Sequence, residues 1–210
     1  MSLIKTIALT ACISFAAISA QAATVLQGVT KAADGPFTIE GGGTKAVVTD
    51  PANAWITTPI DGSEWIWDEA LVTPPGGSFG GPVTFVVSFL LDGFDVSTAA
   101  LSGFFAVDDL VTITLNDYLI GADVDAYNPP PANWADYQAY GTSNASFFNE
   151  GLNTLKFTVY NTGGYPAGLN ATVLVEASPV PVPAALPLLG GAIAGLGMIA
   201  RKRKRQAELA

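Results

Sequence analysis

Two adjacent carboxylates, Asp108 and Asp109, are the first residues whose type and spacing could do chemistry. Such a pair could bind Ca²⁺ or hold sugar hydroxyls. It could equally form a turn in which the side chains accept hydrogen bonds from nearby backbone N–H groups, and we favour the turn because the spacing lacks the alternating oxygen ligands of a calcium loop. Asp117, Asp123 and Asp125 form a second acidic group, for which a solvated loop is favoured over calcium binding.

Three aromatic residues, Tyr127, Trp134 and Tyr137, could form a binding surface for carbohydrate. They lie in the longest irregular stretch, from residue 123 to 144. Sugars present apolar C–H faces that pack against aromatic rings, and the polar tips of the rings can form hydrogen bonds. The alternative, which we favour, is that the rings pin this loop to the rest of the domain, since aromatic side chains contribute strongly to cores.

The lack of histidine and the single cysteine limit the kinds of catalysis that this sequence could support. The sequence has no histidine, and its one cysteine, Cys12, lies near the N-terminus. Ser-His-Asp and Cys-His catalysis are therefore excluded, and any metal would need oxygen ligands, as Ca²⁺ does. A polysaccharide hydrolase would use two carboxylates at a defined separation, but no signature singles out such a pair. We expect a protein that is not an enzyme and has no cofactor, and we keep the hydrolase as an alternative.

The first 22 residues predict a secretory signal peptide. Lys5 precedes an apolar run from Ile7 to Ile18, and Ala20-Gln21-Ala22 provides a small-x-small cleavage site. These are the n-region, h-region and processing site that signal peptidase recognises. We expect cleavage after Ala22.

The C-terminus has three parts in a fixed order. Residues 177–185 form a proline-rich linker that contains Val180-Pro181-Val182-Pro183-Ala184. Residues 184–200 carry no charge and would form a membrane helix of about 25 Å, close to the shortest that spans a bilayer. The tail, 201–210, begins with Arg201, Lys202, Arg203, Lys204 and Arg205, which should remain cytoplasmic.

This order resembles the VPLPA-type variant of the PEP-CTERM sorting signal, with Val182 where that variant more often has leucine. The resemblance implies recognition by an exosortase, cleavage near the proline motif, and a Gram-negative bacterium that makes exopolysaccharide. An uncleaved single-pass anchor is the alternative, because hydropathy alone does not separate the two.

The region between the ends, residues 23–176, predicts one all-β domain. In Val111–Leu115 and again in Leu155–Val159, apolar residues alternate with polar ones, as in strands with one buried face. Several such runs separated by turn residues, without an amphipathic helix, favour an antiparallel β-sandwich. The region holds 17 carboxylates and three lysines, a formal charge of −14, which disfavours nucleic acid as a partner.

Two segments carry a further resemblance. Residues 106–117 are similar to the Asp-rich hairpin of galactose-binding-like jelly rolls, with Asp117 in place of the usual glycine, and residues 148–161 are similar to a later strand of that fold. The resemblance implies a jelly roll and leaves the ligand open. Taken together, we expect an exported cell-surface or matrix protein associated with exopolysaccharide. The main alternative is a carbohydrate-binding module that uses the stretch 123–144 with Tyr127, Trp134 and Tyr137, which we call the aromatic loop.

Overall fold

The described part of the chain is built almost entirely from strands. The computed structural model describes residues 21–48, 55–69, 81–123, 134–162 and 167–181, with the isolated positions 193, 196, 197 and 201. Its eleven described strands are β1 (Ala23–Val29), β2 (Thr38–Ile39), β3 (Lys45–Val47), β4 (Ile66–Asp68), β5 (Val83–Leu90), β6 (Phe94–Asp108), β7 (Leu110–Leu115), β8 (Tyr118–Asp123), β9 (Gln138–Thr142), β10 (Leu152–Tyr160) and β11 (Gly168–Pro179).

The strands form two antiparallel sheets. One has the order β2-β5-β10-β7-β8; the other has the order β3-β4-β11-β6-β9, with β1 also paired to β11. Rings from opposite sheets meet in one shared core, as where Trp67 contacts Phe85 and Tyr140 contacts Phe157. The expected all-β antiparallel sandwich is confirmed.

Alternation along β10 explains how the five-stranded sheet divides its two faces. Leu155, Phe157 and Val159 are fully buried. Thr154 and Lys156, which alternate with them along the strand, point to the outer face. Full burial of each large apolar side chain contributes about 1.5–3 kcal/mol. The polar residues of β10 are therefore left to form part of an outer surface, and the candidate site lies there.

A tyrosine completes the pairing between β6 and β11 in the other sheet. The Phe104 N–H donates to Thr172 Oγ1 over 3.0 Å, and the buried Tyr140 hydroxyl donates to the Thr172 carbonyl over 2.8 Å. The Tyr140 ring crosses Gly103 closely enough that a Cβ there would lie 2.7 Å from the hydroxyl oxygen and would also clash with the Thr172 carbonyl. Glycine is required at this position because two backbones and a ring converge on it.

The stretch from 123 to 144 is not irregular throughout, because its last part forms β9. This strand pairs with β6, with Gly103 opposite Tyr140 and Phe105 opposite Gln138. Its sequence has only one β-branched residue, Thr142, so tertiary pairing rather than local preference determines its conformation.

The predicted targeting segments lie almost wholly outside the described residues. Only the last two residues of the signal peptide are described, and of the predicted helix 184–200 only Ile193, Leu196 and Gly197, all exposed. Among the positions that are described, none belongs to a helix with the length and hydropathy needed to cross a membrane.

Candidate functional site

The predicted pair Asp108 and Asp109 is buried where the chain passes from β6 to β7. The Trp55 indole N–H donates to Asp108 Oδ2 over 2.8 Å. Asp109 Oδ2 accepts from both the backbone N–H and the hydroxyl of Thr162, at 2.6 and 2.7 Å. The side chains thus fasten two distant segments to the end of the sandwich.

The two carboxyl groups also interact with each other. Burial raises the pKa of Asp108 to about 8, and both the hydrogen bond to Asp109 and its negative charge act in the same direction, while the Trp55 hydrogen bond opposes them. At neutral pH Asp108 is therefore protonated, and one proton is shared between the two side chains.

The two carboxyl groups act here as hydrogen-bond acceptors, as expected, but their partners Trp55 and Thr162 are distant in sequence and not the nearby backbone of a turn. Hydrogen-bond donors already occupy one oxygen of each carboxyl group, and Ca²⁺ would need six to eight oxygen ligands. Within the described ranges, no group of three or more acidic, histidine or cysteine residues could hold a metal. Calcium binding at Asp108 and Asp109 is not tested by the structure and stays a prediction.

The second acidic group is spread along a strand. Asp117 lies in the turn before β8 and Asp123 is its last residue, so about 20 Å of extended chain separates them. Asp125 lies outside the described residues. The structure does not bring Asp117 and Asp123 together.

Trp134 and Tyr137 make contacts that attach their loop to the sandwich. Both rings are partly buried against the core. The Tyr137 hydroxyl donates to Asn170 Oδ1 at 3.2 Å and accepts from the Ile60 N–H at 3.3 Å, while the Trp134 carbonyl accepts from the Ile56 N–H at 2.9 Å. These contacts favour the pinning interpretation for the two rings. Tyr127 lies outside the described residues.

Only the first two residues of the predicted sorting motif are described. Val180 follows the end of β11, and its N–H donates to the Gly93 carbonyl over 2.8 Å. Pro181 is exposed, and Val182, Pro183 and Ala184 lie outside the described residues. In the basic cluster, Arg201 alone is described, and it is exposed and helical.

A cleft that the sequence did not indicate lies on the outer face of the five-stranded sheet. We call it the outer cleft; its volume is about 680 Å³, within the usual range for ligand sites. Its floor comes from the outward side chains of β2, β5 and β10: Thr38, Val86, Ser88, Thr154 and Lys156. The floor is therefore polar, with hydroxyl groups and one ammonium group.

The rim of the outer cleft carries Glu40, the Asn116–Tyr118 turn, Ser146 and Asn149. The Tyr118 ring lies flat on Phe147, with ring centroids 4.5 Å apart and an angle of 8° between the ring planes. One face of Tyr118 is covered by Phe147, yet 49% of the residue is exposed, so its other face and edge are open to a ligand. A flat ring beside hydrogen-bonding groups is an arrangement that can accept a sugar.

A network of asparagines fixes this rim. Asn116 donates to both the Phe147 carbonyl and Asn153 Oδ1 at 2.8 Å, and its own oxygen accepts from the Thr154 N–H at 2.9 Å. The fully buried Asn153 in turn bonds in both directions with the backbone of Asn149. The network joins the β7–β8 turn to the 3₁₀ turn Ala145–Phe147, so the stacked rings are held in place before any ligand arrives.

The β7–β8 turn itself needs unusual backbone angles. Asn116 and Asp117 both have positive φ, 49° and 68°. Two consecutive residues of this kind match a type I′ turn, whose twist suits a tight hairpin and which favours Asn, Asp and Gly. The predicted hairpin is confirmed, and it presents Tyr118 immediately after the turn.

A second hollow, of about 480 Å³, lies on the outer face of the other sheet. Its lining is mainly apolar and includes the exposed ring of Phe104 together with Val29 and Leu174. It offers few groups that could fix the orientation of a polar ligand, so we regard the outer cleft as the better candidate.

Comparisons with known proteins give likenesses of fold at low similarity. No family model matches the chain, and no curated protein matches it. Similar solved structures include a family 35 carbohydrate binding module from an environmental isolate, with 15% identity and a TM-score of 0.37 over 69% of this chain and 98% of that one. The family 35 module from Clostridium thermocellum has 15% identity and a TM-score of 0.37 over 70% and 97%.

A third similar structure is the K3 cleaved adhesin domain of Lys-gingipain from Porphyromonas gingivalis w83, with 11% identity and a TM-score of 0.39 over 75% of this chain and 99% of that one. TM-scores at this level carry no argument about a ligand. The function is therefore argued from the geometry of the chain itself.

Proposed function

We propose that this chain is an exported, non-enzymatic glycan-binding protein of the cell surface or extracellular matrix, with a galactose-binding-like jelly-roll domain. Its ligand would be polysaccharide, bound in the outer cleft. One observation carries this proposal: an exposed aromatic ring, held flat by a second ring, stands at the rim of a polar cleft.

The side chains of the outer cleft suit sugar hydroxyls. Thr38, Ser88 and Thr154 offer hydroxyl groups that both donate and accept, and Asn149 can do the same through its amide. Tyr118 supplies the apolar surface for the C–H face of a sugar ring. The lining also holds two carboxylates, Glu40 and Asp117. Glu40 forms an ion pair with Lys156, which favours binding over hydrolysis, since hydrolysis would use both carboxylates on the substrate.

The export part of the proposal rests on the two ends of the sequence. Cleavage after Ala22 would leave β1 whole, because this strand begins at Ala23 and pairs with β11 from there on. At the other end, β11 continues to Pro179, so the motif at 180–184 begins directly after the sandwich. Exosortase would then cut near this motif, after the predicted helix 184–200 has held the protein in the inner membrane.

A glycan array followed by variants of Tyr118 tests the binding function. We expect Tyr118→Ala to weaken glycan binding about tenfold, since the ring is the main apolar contact, and Tyr118→Phe to retain it. Trp134→Ala is the matched control, because that ring packs on the core away from the cleft, and it should leave the affinity unchanged. Calorimetric titration would measure each affinity, and melting curves would check the fold.

One result would contradict this function, and another would contradict the site. The first is the absence of binding to any glycan on the array. The other is binding that survives Tyr118→Ala but is lost in Trp134→Ala, which would assign recognition to the aromatic loop.

Intact mass spectrometry of the protein from its native host tests the export route. We expect an N-terminus at Ala23 and the loss of the residues that follow the proline motif, because signal peptidase and exosortase act at these places. A full-length mass in the soluble cell fraction would argue against export. A mature N-terminus with an intact tail would support the uncleaved anchor.

A further inference from the structure

The charges of the outer cleft are few and arranged around one ion pair. Lys156 lies in the middle of the floor, with Val86 beside it on β5 and Thr114 beside it on β7. Its ammonium group is 2.8 Å from Glu40 Oε1, and the two side chains are 33% and 54% exposed. The carboxylate raises the pKa of Lys156, which therefore remains charged and paired.

Besides the Lys156–Glu40 ion pair, the cleft carries a third charge, which is negative. Asp117 lies in the β7–β8 turn and lines the same cleft. Lys156 is the single cation among the described residues that line it, so this lining carries two carboxylates against one ammonium. The surrounding region, residues 23–176, has a formal charge of −14. An anion that approaches the cleft thus meets a field of its own sign.

From this arrangement we infer that the outer cleft selects uncharged glycans and discriminates against anionic ones, with Glu40 as the residue that sets the selection. Sugar hydroxyls can accept from the Lys156 ammonium and donate to Glu40 while the ion pair stays intact. A uronate or sulfate group would instead have to displace Glu40 from Lys156 and also face Asp117. The inference rests on the proposed glycan-binding function.

Two variants that change the net charge by the same amount distinguish the effect of the Lys156–Glu40 ion pair from that of the overall negative charge. Glu40→Gln removes one negative charge and frees Lys156. Asp117→Asn removes one negative charge and leaves the pair intact, and asparagine tolerates the positive φ of this position. The probes are dextran, xylan, β-glucan and galactan, each compared with its own carboxymethylated form at physiological salt.

For the unmodified protein we expect carboxymethylation to weaken binding about fivefold or more. In Glu40→Gln this penalty, the ratio of the affinities for the uncharged and the carboxymethylated polymer measured on the same variant, should shrink about fivefold. Asp117→Asn should reduce the penalty by less than about twofold, because the charge it removes is screened by solvent.

Equal or tighter binding of the carboxymethylated polymers by the unmodified protein would overturn this inference and leave the binding function standing. So would an equal change of the penalty in Glu40→Gln and Asp117→Asn, since the ion pair would then have no special role. If no polysaccharide binds at all, neither uncharged nor carboxymethylated, this inference and the proposed function both fail.

Discussion

Raising the pH from 5.5 to 7.5 is expected to lower the free energy of unfolding by about 1 kcal/mol per pH unit. The cause is Asp108, whose pKa rises from 3.8 to about 8 on folding. Between these two values the folded protein holds one proton that the unfolded chain has released, so folding is favoured at low pH and loses this contribution as pH rises. Above about pH 8 both states are ionised and the slope should end.

The composition makes this slope easy to observe. The chain has no histidine, so no other side chain with an ordinary pKa titrates between pH 5.5 and 7.5. Urea unfolding at several pH values measures the slope directly. Asp108→Asn should abolish it, because the amide can still accept from Trp55 and donate to Asp109 without carrying a charge.

Glu150→Gln provides the control for this experiment. It removes an exposed carboxylate and should leave the slope as it is in the unmodified protein. A stability that does not change with pH over this window in the unmodified protein would contradict the shared proton. If the free energy of unfolding of Asp108→Asn still falls as the pH rises, another group is responsible for the pH dependence.

Replacing Gly103 by alanine is expected to destabilise the domain by about 3 kcal/mol and to lower its melting temperature by roughly 6–12 °C. The added methyl group would meet the Thr172 carbonyl and both the ring and hydroxyl of Tyr140. Since Tyr140 is held in the core between Phe105 and Phe157, it has little room to move. Displacing it would leave the buried Thr172 carbonyl without its hydroxyl donor.

Gly81→Ala is the matched control, because among the residues that the structure describes nothing lies within 4 Å of the methyl group it would add. It should change stability by less than about 0.5 kcal/mol. Tyr140→Phe, which removes only the hydroxyl, should cost about 1–3 kcal/mol. If Gly103→Ala has the same melting temperature as Gly81→Ala, Tyr140 does not lie as close to the β6 backbone as the structure places it.

The strands that the sequence predicted are those whose pattern is local. Alternation in β7 and β10 identified both the strands and their buried faces, and the turn residues Asn116 and Asp117 marked the hairpin between β7 and β8. β1, β2 and β9 were not predicted. They are held by pairing with long strands far away in the sequence, β1 with β11, β2 with β5 and β9 with β6, and their own residues show little periodicity.

The candidate site was predictable only in part, for a similar reason. The aspartate pair was expected to accept hydrogen bonds, and it does, but its partners Trp55 and Thr162 are each 53 residues distant rather than nearby. The stack that defines the outer cleft joins Tyr118 to Phe147. The alternation of apolar and polar residues along β10 indicates that Lys156 faces solvent. No local pattern indicates that the Tyr118 ring and Glu40 lie beside it in the folded protein.

Titration of isotopically labelled protein with a glycan selected from the array, followed by amide chemical shifts, tests the central claim most directly. The account predicts that the largest changes fall in β5, in β10 and in the turn at residues 116–118, with the Tyr118 amide among the most affected. Changes confined to residues 134–137 and to the segment around Trp55, with the outer face of the five-stranded sheet unaffected, would contradict it.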